Sequence, residues 1–360
     1  MKRNGLNFFR RALLLALAIP FALLTGCKDD GNSLTLFTWD EMFPQEILEG
    51  FEKETGIRIN YVNFDADEVM LTKLENSNGA DYDLVIADDY IIDTVISKGL
   101  AQKLNKQKLP NYGNINPVYL KPFYDPTDEY TVPYGAGVQT IVYDPARVNI
   151  KISGYGDLFD PSLANRVAII ANYRVINGMA LKILGQSYNT EDLSAIRSAG
   201  DKLLSLAPNI RLIKDDHLED ELISGEVSAA VMYTSEVTAA MTTSIEKNLG
   251  FEMVFPKEGI GFGPMAGFIP SKAPNPDAAH AFLNYILDPE RGALCFEYLG
   301  YYSTYAASDP YIDPEFKPLL TLPAGFIENM ENIKPIGEEA DQEHLRIWTA
   351  FKAAAGKSDN

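Results

Sequence analysis

Apolar and polar positions first settle into a repeating order at residue 34. Residues 34–39, LTLFTW, form an apolar run with β-branched and aromatic members, the pattern of a buried strand. A helix is expected over 44–55, where Pro44 can open it, Ile47, Leu48 and Phe51 share a face, and Gly56 can close it. Residues 58–64 alternate as a strand. Residues 65–77 read as an amphipathic helix with acids at its start. The run 83–87, DLVIA, is apolar after its first residue, as in a parallel strand covered on both faces. A helix over 90–98 follows and stops at Gly99. This β-α-β-α-β-α order is that of a doubly wound α/β unit.

Residues 104–130 are rich in loops, with Pro110, Pro117, Pro122 and Pro126. Residues 131–144 then read as two apolar runs split by Gly135-Ala136-Gly137, a bend expected to carry the chain from one lobe to the next. A second α/β pattern follows, with strands at 167–171, 211–214 and 229–233 and helices at 177–185, 192–205 and 219–224. Strands at 252–255 and 262–269 lead back. Helices close the pattern at 276–287 and 341–355, the last carrying Leu345, Trp348 and Phe351. Two lobes crossed more than once imply a hinged clamp, with a small-molecule site between the lobes.

The N-terminus changes the picture of where the protein works. Lys2, Arg3, Arg10 and Arg11 precede an apolar stretch at 12–24, too short for a permanent bilayer span. Leu24-Thr25-Gly26-Cys27 then has the form of a lipobox, so residues 1–26 are expected to be a signal peptide, Cys27 the lipidated first residue, and 27–33 a tether. Losing residues 1–26 takes the formal net charge from -19 to about -23. Such an acidic chain repels nucleic acid and favours cationic partners. Only Cys295 remains, read as a buried inert thiol, and three His residues argue against a zinc site. No enzyme motif such as G-x-S-x-G, H-E-x-x-H or a P-loop is found.

Several segments together carry a family resemblance: TGIRINYVNFDADEVMLTKL, DYDLVIADDYIIDTVISKGL, YTVPYGAG, GEVSAAVMY, FPKEGIGFGPMAGFIP and LGYYSTYAA. In this order the chain resembles bacterial spermidine/putrescine-binding proteins, the extracytoplasmic substrate-binding subunits of ABC importers. The resemblance implies an α/β, two-lobed type II periplasmic-binding-protein fold with an interlobe ligand cleft. It implies a discontinuous N-terminal lobe (34–136 and 266–309) and C-terminal lobe (137–265 and 310–360). It also implies a monomer that takes a small organic solute, needs no cofactor, and passes the solute to a membrane permease.

Carried over residue by residue, the family's first-strand motif matches Trp39 and Glu41, with Asp40 and Met42 departing. Its Ser-Thr-Tyr resembles Asp88-Asp89-Tyr90, with two hydroxyls replaced by acids. Its second-lobe aromatic resembles Tyr233, and its late tyrosine Tyr301. Where the family holds amines with second-lobe carboxylates, this chain has Asn172, Val175 and Met265. The acids have left one lobe and gathered on the other.

Carboxylates with aromatic faces suit a cationic amine, held in a mode or of an identity altered from the family's. Trp39 and Tyr90 are expected at the ligand, Tyr233 and Tyr301 stand open between site and core, and Phe262 is expected in the core. One of Asp88 and Asp89 also fits a helix cap. Arg174 is expected to make a structural ion pair; facing the cleft instead, it would call for an anionic group on the ligand. Two further functions stay open, a ferric-ion receptor using Tyr301, Tyr302 and Tyr305, and a sensor that presents bound ligand.

Overall fold

The computed structural model describes residues 32–214, 217–323 and 325–356. The expected signal peptide and Cys27 lie outside these residues. The expected tether ends early, because Ser33 already belongs to the first strand.

That strand, β1 (Ser33–Thr38), is flanked by two parallel partners, β2 (Arg58–Asn63) and β3 (Leu84–Ala87). All four residues of β3 are buried, as its unbroken apolar run requires, while β2 is partly exposed at the sheet edge. Between them run helices Gln45–Thr55 and Asp67–Ser77. The first buries Ile47 and Phe51 and ends on Gly56 in the left-handed conformation, whose N–H caps the Glu52 carbonyl.

The strand β4 (Thr131–Tyr143) is continuous, not the two runs read from its sequence. Gly135, at a φ of 72°, forms a bulge inside it, and the register shifts between Pro133 and Ala136. Below and across the bulge β4 pairs antiparallel with β9 (Ile260–Phe268), which also pairs with β3. Beyond it, Gln139–Tyr143 pair with β7 (Ala229–Tyr233). The parallel strands β5 (Val167–Ile170) and β6 (Ile210–Lys214) extend that second sheet. The strand path is therefore β2-β1-β3-β9-β4-β7-β5-β6, with β8 (Glu252–Val254) on β4 and β10 (Met330–Asn332) on β9.

The core divides as the sheet does. One cluster packs β5, β7 and the far half of β4 against helices Tyr173–Ile183, Leu193–Leu204 and Glu338–Ala354. Others pack β1, β3 and the near half of β4. Each fully buried Ile or Val contributes roughly 1.5–3 kcal/mol. Cys295 is a free thiol in the second of these regions, and burial pushes its pKa up to about 12. Two helices, Thr234–Lys247 and Pro289–Leu299, were not legible in the pattern. The first is too rich in Thr and Ser for an obvious apolar stripe.

Candidate functional site

Three strands end at one place. β3 runs into Asp88 and helix Asp89–Ser97, β5 into Asn172 and helix Tyr173–Ile183, and β7 into helix Thr234–Lys247 at Tyr233. Carboxyl ends of strands are where open α/β sheets bind ligands. Between these ends and the β4–β9 crossing lies a cavity of about 690 Å³. Asp88, Asp89, Tyr90, Asn172, Tyr233, Met265 and Tyr301 all line it. Residues from both ends of the strand path thus share one cavity.

Its first wall is acidic. Asp89 is 7% exposed and accepts from Asn332 Nδ2 at 3.3 Å. Its carboxylate lies over Gly263 of β9, where a Cβ would sit 2.9 Å from Oδ2. Asp88 occupies the helix N-cap without making a side-chain cap bond. Its carboxyl group is instead hydrogen-bonded to that of Asp67, a buried residue at the start of helix Asp67–Ser77. Two carboxyl groups can share such a bond only when one keeps its proton. Burial is the main cause, with like-charge repulsion added, that raises Asp67 to about 8 and Asp88 to about 7. Burial also raises Asp89 to about 7. Tyr90, 44% exposed, donates to Glu68 Oε1 at 3.2 Å.

The second wall is built differently. Asn172 caps its helix, its Oδ1 accepting from Val175 N at 3.1 Å, while its Nδ2 donates to Tyr233 Oη at 3.0 Å. Tyr233 N–H donates to Glu236 Oε2 at 3.1 Å, and the bond from Asn172 holds its phenol at the cleft. Tyr301 lies against Gly137, and Met265 against Gly135. Arg174 also lines the cavity, and the expected structural ion pair is not formed among the described residues. Its Nη2 donates to the carbonyls of Tyr188 at 3.2 Å and Lys334 at 3.1 Å. Those two backbone acceptors take the place of a carboxylate.

Trp39, Asp40 and Glu41 are not among the lining residues. The Trp39 ring packs on Phe64 at 5.0 Å, and its carbonyl accepts from Tyr61 Oη at 2.6 Å. Asp40 and Glu41 are exposed, and Glu41 holds a φ of 55°. Phe262 is 7% exposed, edge-on to Tyr119 in a small cluster that also holds Tyr302. Tyr305 is buried in another cluster, so only Tyr301 of the three late tyrosines reaches the cavity. Sequence reasoning missed Asp67 as part of the site, and also Gln139, Lys334 and Asp341 among the lining residues. Asp67 looks like any first-turn acid. Lys334 comes to the cleft beside the three-residue β10, which pairs with β9, and Asp341 comes with a helix that packs on helices Tyr173–Ile183 and Leu193–Leu204.

Comparison with known proteins agrees with this architecture. The family profile of the bacterial extracellular solute-binding proteins matches residues 46–322. The spermidine/putrescine-binding periplasmic protein of Escherichia coli (strain K12) is 31% identical over 306 residues, 85% of this chain and 87% of the relative. The crystal structure of the spermidine/putrescine ABC transporter substrate-binding protein PotD from Streptococcus pneumoniae superposes with a TM-score of 0.83 at 27% identity, covering 90% of this chain and 99% of that one. The Tp0655 (TpPotD) lipoprotein of Treponema pallidum shares the fold with a TM-score of 0.75 at 24% identity, over 89% and 99% of the two chains. The first two of these relatives carry the names of binding proteins and not of enzymes. The chain belongs to the bacterial extracellular solute-binding proteins, and within them to the spermidine/putrescine-binding substrate-binding subunits of ABC importers.

Proposed function

We propose that this protein is a lipid-anchored, monomeric receptor that takes a small cationic amine into the interlobe cleft and delivers it to an ABC permease. The observation that carries the reading is the wall of Asp88 and Asp89, backed by buried Asp67 and flanked by Tyr90, Tyr233 and Tyr301. Three acids in so small a space repel one another, and an ammonium group is the ligand that relieves them. Aromatic faces add roughly 0.5–2 kcal/mol per cation–π contact. The relatives' names, spermidine/putrescine-binding, support an amine. The binding mode differs from theirs, because Asn172, Val175 and Met265 offer no charge on the other wall.

In this reading the lobes comprise 34–136 with 266–309, and 137–265 with 310–360, and they close on the ligand by bending at β4 and β9. Cys27 carries the lipid that holds the receptor outside the cytoplasm. Calorimetry on the mature chain with 1,4-diaminobutane, spermidine and butylamine tests the amine reading. Saturable binding of at least one is expected, and none from any of them would sink it. Cys27→Ser should leave the protein unprocessed or free of membranes; normal processing with full membrane retention would remove the anchor from the account.

A further inference from the structure

The amine reading leaves one end of the cavity without an explanation. Arg174 and Lys334 both line it, and neither forms an ion pair with a described carboxylate. Arg174 Nη2 is engaged by two carbonyls, but Nε is wholly buried and has no hydrogen-bond partner among the described residues. An enclosed charged donor without a partner is a cost to the fold. Arg174 also stands in the first turn of helix Tyr173–Ile183, where the helix dipole disfavours a cation. Residues 172–175 all line the cavity, so the positive end of this helix opens into it. Asp341, the nearby acid, is taken up by Tyr173 Oη at 2.8 Å. Two cations and a helix N-terminus therefore face this end of the cavity with Asp341 as the one lining acid beside them, opposite a wall with surplus carboxylates.

We infer that the cleft takes a linear ω-amino carboxylate, its ammonium at Asp88 and Asp89 and its carboxylate at Arg174, Lys334 and the start of helix Tyr173–Ile183. The assignment rests on the amine reading for one end and adds a second subsite at the other. With Nε enclosed and Nη2 given to two carbonyls, Nη1 is the guanidinium donor left for a ligand carboxylate, and a charge-assisted bond from it favours an anion at this end. A diamine of equal length would place an ammonium against Arg174 and be disfavoured. The two lobes would each hold one end of the ligand, so that binding and closure are coupled.

Matched pairs separate the possibilities. Calorimetry is run with β-alanine, 4-aminobutanoate and 6-aminohexanoate against the diamines of the same chain lengths. At least one amino acid is expected to bind tenfold or more tightly than its diamine. Arg174→Gln should weaken that amino acid at least tenfold while leaving diamine binding unchanged or improved. Lys334→Gln, at an exposed position that a fold should tolerate, should weaken it several-fold with the same selectivity. Diamines binding more tightly than every amino acid, with both variants neutral, would overturn this inference and leave the amine reading standing. Failure of both series would overturn the two together. Equal losses for amino acids and diamines in both variants would mean that the two cations serve only the fold.

Discussion

Two helices begin at the same cavity, and their first turns carry opposite charge. Helix Asp89–Ser97 starts with Asp88 and Asp89, acids that its dipole favours by roughly 0.3–1 kcal/mol each. Helix Tyr173–Ile183 starts with Asn172 and Arg174, a neutral cap and a cation that the dipole opposes. The acidic start nevertheless is the more strained of the two, because Asp67 stands buried behind it and forces a proton to be shared. At the basic start the tension is milder, since two backbone carbonyls take up Nη2. Sign of charge alone does not decide comfort at a helix start. What decides it is whether partners exist for every buried polar atom.

The largest expected break in this comparison comes from Asp88→Asn. Loss of one charge-assisted contact is worth roughly 1.5–3 kcal/mol, so calorimetry should show a cationic amine weakened by about ten- to a hundredfold. Unaltered affinity would move the ammonium away from this wall. Gly263→Ala should have the next largest effect. The new Cβ would meet the Asp89 carboxylate at 2.9 Å and rotate it out of place, weakening the amine by about five- to tenfold. A variant that binds as the parent does would show that the position of Asp89 is not critical.

Asp67→Asn acts more gently and through pH. In the folded state Asp67 and Asp88 hold their protons up to about 8 and about 7, far above an unfolded aspartate. Their protonated forms favour the fold, so their contribution is complete below the unfolded aspartate pKa of about 4, shrinks as pH rises from there, and is gone once pH has passed about 8. His344 works in the opposite direction, held neutral by burial with a pKa lowered to about 4, and it withdraws stability only as pH falls below about 6.5. Between pH 6.5 and 8.5 the ligand-free protein should therefore lose a few degrees of Tm, and Asp67→Asn should remove most of that slope. A flat thermal-shift profile for the parent chain would contradict the shared proton. The smallest effect on affinity is expected from Trp39→Ala, within about twofold, because the indole lies off the cavity lining. Its loss from Phe64 should still lower stability by roughly 1–3 kcal/mol. A tenfold loss of affinity would bring Trp39 into the site.

The sequence by itself determined the strands and most helices, since apolar runs such as LVIA and VAII can be satisfied only inside a covered parallel sheet. It also determined that Asp88, Asp89, Tyr90, Asn172, Tyr233 and Tyr301 follow strands or late turns that a cleft can use. Local patterns could do this because periodicity and capping are read within one turn or one pleat. The tertiary structure alone decided which first-turn acid is buried: Asp67 and Asp65 look alike in sequence, but only Asp67 is enclosed, by contact with Asp88 from another strand–helix junction. It alone made β4 continuous, because β9 supplies hydrogen bonds on both sides of the Gly135 bulge. It turned Leu345 outward while His344 and Trp348 were buried on the side that packs on helices Tyr173–Ile183 and Leu193–Leu204. And it brought Lys334 to Arg174, across 160 residues, through the short pairing of β10 with β9. Charge balance in a cavity is a sum over chain-distant residues, and no local stretch of sequence contains that sum.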